Sequence, residues 1–146
     1  MTVAQLEIPL SEPSLVVVPW TDETLRFDNS TQMLVRVATG SVELLGTSIP
    51  DGSPVLLLVG SANRDASAFV SPDVYDPYRE TSKLMSFGSG RHFCLGASLA
   101  RMEGRVALEV LARRVSDYEI DEKDARRVHS INVRGFANLP TAVRIR

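Results

Sequence analysis

The sequence predicts a mixed α+β fold, and three observations carry that expectation. A long helical pattern runs from Ala97 to about Arg114, short β-type segments alternate with turn signals between residues 32 and 59, and an irregular proline-bearing stretch over 60–86 joins the two. So long a structureless stretch inside a domain is unusual, and such loops are often functional. At 146 residues the chain is of single-domain size. It reads as one domain over 1–146, with 1–12 as a loose leader that lacks periodicity.

Taken in order, a short helix is expected over 20–27, with Thr21 or Asp22 available to cap it. Glu23 and Arg26 then share one helix face, where a carboxylate and a guanidinium can pair. On spacing alone this is an ordinary surface ion pair. Residues 32–38 read as a strand in which Arg36 interrupts Met33, Leu34, Val35 and Val37. Segments 42–45 and 48–50 flank Gly46-Thr47, a hairpin turn candidate with glycine first. Asp51-Gly52 marks another turn, and the continuous apolar run 55–59 is expected as a buried strand. A helical turn is expected around 61–65. Together these pieces predict a small antiparallel sheet.

In the long helix, Leu99, Met102, Val106 and Val110 form an apolar stripe, while Arg101, Arg105 and Glu109 form the one continuous polar stripe. Apolar residues cover most of its circumference, a pattern normally buried inside a larger protein. Segments 118–120, 131–136 and 142–145 read as short strands around turns at Gly135 and Asn138-Leu139-Pro140.

Composition excludes several classes. The chain is 44% hydrophobic and 23% charged with a formal net charge of -2, as in soluble globular proteins. Residues 1–100 carry 6 Lys/Arg against 11 Asp/Glu, a net of -5, and residues 101–146 carry 10 against 7, a net of +3. This mild asymmetry reads as an ordinary solvated face and calls for no nucleic acid partner. A single cysteine excludes an internal disulfide and fits a reducing compartment. No signal peptide pattern and no membrane-length apolar run is read, so the expected location is the cytoplasm.

That cysteine, Cys94, sits in Phe87-Gly-Ser-Gly-Arg-His-Phe-Cys-Leu-Gly96, immediately before the long helix. Gly88, Gly90 and Gly96 allow positive φ and close approach of a ligand, and the helix N-terminus favours an anion such as a thiolate. An inert buried cysteine is one reading. A nucleophile assisted by His92 is another, and it needs an orienting acid. A dinucleotide cradle fails, because Phe93 stands where its third glycine belongs. Structural zinc is excluded by one cysteine and two separated histidines, His92 and His129. One thiolate does suffice for haem iron, to which it pushes electron density.

The loop closely resembles the haem-binding signature of the cytochrome P-450 family, Phe-Gly-x-Gly-x-x-x-Cys-x-Gly, with every fixed position present. Further resemblances are Glu23-Thr-Leu-Arg26 to the family's Glu-x-x-Arg helix and Ala62-Asn63-Arg64-Asp65 to bacterial members. The resemblance implies the C-terminal part of the mainly-α P-450 fold: a short K-type helix, a small antiparallel sheet, a meander, the Cys-ligand loop, a long L-type helix and terminal strands. It implies haem b as cofactor, Cys94 as axial iron ligand, Arg36 and His92 as propionate contacts, and Glu23, Arg26 and Arg64 as structural braces. Met33 to Val35 and the turn near Phe136 would border a substrate pocket. Val74 stands where many members place a third charged residue of the Glu–Arg network, so that network would be incomplete or use another group. The implied activity is monooxygenation of an apolar small molecule with O₂ and two electrons from a ferredoxin-type donor. Arg91, Arg101 and Arg105 read as a solvated stripe, the alternative being a surface that faces such an acidic donor.

The resemblance covers only the family's C-terminal portion. The helix bearing the oxygen-activating acid–alcohol pair has no counterpart here, so the chain reads as a truncated domain. Its alternative is a non-catalytic haem-binding remnant, or half of a split protein completed by a second chain.

Overall fold

The computed structural model describes residues 13–146, with side chains from residue 19 onward; the leader expected over 1–12 lies outside them. The first helix, α1, spans Pro13–Phe27, starting seven residues before the expected 20–27. Proline suits the first helical turn, because the N–H it lacks would be unpaired there anyway. Thr21 and Asp22 therefore lie inside the helix, not at its N-terminus. Arg64 caps the other end, donating from Nη2 to the Phe27 carbonyl at 2.7 Å, with its guanidinium 3.9 Å from the centre of the Phe27 ring.

The expected antiparallel sheet takes the form of separate two-stranded ladders. Strands β1 (Leu34–Val37) and β4 (Pro54–Leu57) pair, as do β2 (Val42–Leu44) and β3 (Thr47–Ile49). Toward the C-terminus β5 (Val115–Ile120) pairs with β8 (Thr141–Ile145), and β6 (Arg126–Arg127) with β7 (Phe136–Asn138). Three expectations need correction here. Leu44 pairs with Thr47, so the hairpin turn is Leu45-Gly46, with φ of 51° and 77°, a primed turn shifted one residue from Gly46-Thr47. The run 55–59 is not a buried strand: β4 ends at Leu57, and Leu56 and Leu57 are exposed because no second layer covers the ladder among the described residues. Val59 is buried, but as the first residue of the short helix α2 (Val59–Ala62). Residues 131–135 are loop, since the Ser130 hydroxyl accepts the Val133 N–H at 3.1 Å and curls the chain before β7; a lone bridge joins Val133 to Thr31.

The long helix α3 spans Ala97–Arg114, as expected. Where it meets α1 it presents Gly104 against Thr21 and Arg101 against Asp22, not the apolar stripe. Ala97 and Ala112 are buried, and a Cβ on Gly104 would lie 3.0 Å from Thr21 Cγ2, so glycine permits the close crossing. Leu99, Met102, Val106 and Val110 stay about half exposed. Around α1, Trp20 and Phe27 set their rings edge-on to Tyr75 at 5.8 and 5.5 Å. The meander over 60–86 is ordered by local turns in which a carboxylate accepts the N–H two residues on: Asp65 from Ser67, Asp76 from Tyr78 and Glu80 from Ser82.

Candidate functional site

The largest fully buried side chains are Arg26, Glu23 and Asn63, so the centre of this part of the molecule is polar. Burying charges is costly unless every donor and acceptor is met, and here they are. Arg26 donates bidentately to Glu23, Nε to Oε2 at 2.7 Å and Nη2 to Oε1 at 2.8 Å. Its Nη1 reaches the carbonyls of Asn63 at 2.7 Å and Pro72 at 2.9 Å, and Nη2 that of Val74 at 3.3 Å. The pair is thus a buried knot, not the surface pair that spacing alone suggests.

A third charged group joins it, and it is Arg79. Its Nε lies 3.4 Å from Glu23 Oε1, while its Nη groups donate to the carbonyls of Val70, Ser71 and Val74. Position 74 contributes only its carbonyl. The signal in the sequence was faint: Arg79 follows Pro77 in a meander over 66–86 that otherwise holds one cation, Lys83.

Asn63 carries the knot to the cysteine loop. Its Oδ1 accepts the Met85 N–H at 2.8 Å and its Nδ2 donates to Ser86 Oγ at 2.8 Å, fixing the two residues that precede Phe87. From there Gly88 and Gly90 take φ of 72° and 63°, the left-handed region. Gly96 does not: its φ is -86° and it precedes the first residue of α3. The loop closes where the Cys94 N–H donates to the Phe87 carbonyl at 2.9 Å. Cys94 is exposed rather than buried and inert.

Phe87, Gly88, His92, Cys94, Arg36 and Leu34 all line one cleft of about 690 Å³, completed by apolar side chains such as Leu57, Val59 and Met85. One thiol, an apolar wall, and a guanidinium and an imidazole on the same cleft make a donor set suited to a flat apolar group with acidic edges. These residues fit haem. Phe136 is not among the residues lining the cleft; its ring lies 3.8 Å beneath the Arg127 guanidinium. Arg105 is exposed and 3.6 Å from Glu109. Arg101 departs from the solvated stripe expected of it, donating from Nε to Asp22 Oδ1 on α1 at 2.7 Å.

The cytochrome P450 family model matches residues 19–143. The chain belongs to the cytochrome P450 family. Cytochrome P450 123 of Mycobacterium tuberculosis is 56% identical over 128 residues, 87% of this chain and 32% of that protein. The biotin biosynthesis cytochrome P450 of Bacillus subtilis is 40% identical over 119 residues, 82% of this chain and 30% of that protein. Among solved structures, cytochrome P450 CYP109Q5 from Chondromyces apiculatus superposes with a TM-score of 0.88 at 36% identity, over 94% of this chain and 35% of that one. The chain therefore has the fold of part of a P450 and spans about a third of the length of these relatives. Among the described residues no helix is long and apolar enough to cross a membrane.

Proposed function

We propose that this P450 chain forms the haem-anchoring part of a haem-thiolate monooxygenase, with Cys94 as the iron's axial ligand. The observation that carries the reading is the exposed Cys94 on the same cleft as Arg36 and His92, in a loop held by backbone and side-chain bonds. Arg36 and His92 would hold the two propionates, as charged or hydrogen-bonded partners of carboxylates. Phe87, Gly88, Gly90 and Gly96 shape the loop. Glu23, Arg26 and Arg64 brace it from behind, with Arg79 added by the geometry above. Haem b bound here would supply O₂ activation, with a thiolate raising electron density at the metal. The apolar wall of the cleft supports an apolar organic substrate, and electrons would come from a ferredoxin-type donor.

The test is optical. The 146-residue chain mixed with haem and reduced under CO is expected to show the red-shifted Soret band of thiolate ligation, and Cys94→Ala to abolish it. Failure of the chain to take up haem overturns the proposal. A second reading, in which the chain completes another chain instead of acting alone, is favoured by the exposed stripe of α3. Co-purification with a chain carrying the remaining two thirds of a relative's length checks it, and no association under native conditions removes it.

A further inference from the structure

Arg101 touches three elements at once. Its Nε donates to Asp22 Oδ1 on α1 at 2.7 Å, its backbone belongs to α3, and its guanidinium carbon lies 4.6 Å from the centre of the Phe87 ring. That distance is within cation–π range, and the ion pair with Asp22 restricts where the guanidinium can go. Phe87 is in turn the residue whose carbonyl accepts the Cys94 N–H at 2.9 Å, and its ring meets that of Phe93 edge-on at 6.5 Å. The chain of contacts is continuous: Asp22 orients Arg101, Arg101 covers Phe87, and Phe87 closes the loop on Cys94. We infer that Arg101 is a positioning residue for Cys94, a clamp that holds the thiol-bearing loop against α1 and α3.

A glutamine at this position can still donate a hydrogen bond to Asp22 but carries no cation to set over the ring. Arg101→Gln therefore removes the contact with Phe87 while keeping a donor for Asp22. The functional meaning of the clamp rests on the reading of Cys94 as an iron ligand, but its test does not need haem.

Amide hydrogen exchange of the haem-free full chain is the measurement. The Cys94 amide exchanges when its bond to Phe87 opens, so Arg101→Gln is expected to speed it about two- to fivefold, the change a cation–π contact at a half-exposed site corresponds to. Phe87→Leu should speed it similarly, and the double variant no further, since both remove one contact. Amides in the middle of α3, such as that of Leu108, should be unchanged. Additive effects, equal acceleration along α3, unchanged exchange at Cys94, or a Cys94 amide without protection in the parent chain would each overturn the inference. Absence of haem uptake would instead overturn the ligand assignment and leave the exchange result standing.

Discussion

Glu23 is where the buried polarity converges. Its carboxylate accepts from Arg26 twice, from the Asp76 N–H at 2.9 Å and from Arg79. Glu23→Ala would leave two buried guanidinium groups without a counter-charge, and the expected loss is about 3–5 kcal/mol, read from the midpoint of denaturant unfolding. Tyr75 offers a pH test. Burial raises its pKa above the ordinary 10.0, the hydrogen bond with Thr24 opposes this, and the Glu23 charge adds to it. The folded state thus favours the neutral phenol. That contribution is complete below the unfolded pKa and is lost as pH rises through the folded one, so stability should fall above pH 10. Tyr75→Phe should remove this part of the alkaline loss in melts across that range. At this scale the spacing of Glu23 and Arg26 named the pair in advance, but not its burial. Burial is created by carbonyls up to 48 residues away, which no local pattern contains.

Between β2 and β3, Leu45 holds a positive φ with its side chain 98% exposed. It bears backbone strain without a packing return. Leu45→Asn would give Asn-Gly, the pairing that primed turns favour, and is expected to stabilise the chain by about 0.5–1 kcal/mol. An unchanged or lowered thermal midpoint would contradict this. The legibility of elements followed their periodicity. Helix α3 was readable at both ends because eighteen residues repeat one pattern before β-branched Val115 begins a strand. Helix α1 was readable only in its second half, because Val16, Val17, Val18 and Pro19 weigh against a helix on local propensity. The cysteine loop was the most legible part of all: fixed glycine spacing is a requirement of its own backbone. Its support was less so, since Asn63 and Arg79 act across the meander and leave no periodic trace.

For the molecule as a whole, the uncovered side of α3 matters most. Leu99, Met102, Val106, Val110 and Leu111 of that one helix remain about half exposed. Contiguous apolar surface of this kind binds ANS. The chain by itself is expected to do so while keeping its helical circular dichroism, and Met102→Glu with Val106→Glu should weaken the signal without unfolding. Weak ANS fluorescence from the folded parent chain would contradict it. The arginines behind the loop have a consequence of another kind. Arg26 and Arg79 together supply the donors that carbonyls of residues 63, 70, 71, 72 and 74 would otherwise find in a sheet. To a protease, a stretch so held is a poor substrate although it has no regular structure. Arg26→Ala should open it to cleavage between 64 and 80 before any other loop is cut. Two side chains, in effect, decide whether that meander exists as a surface or as a digestible strand of peptide.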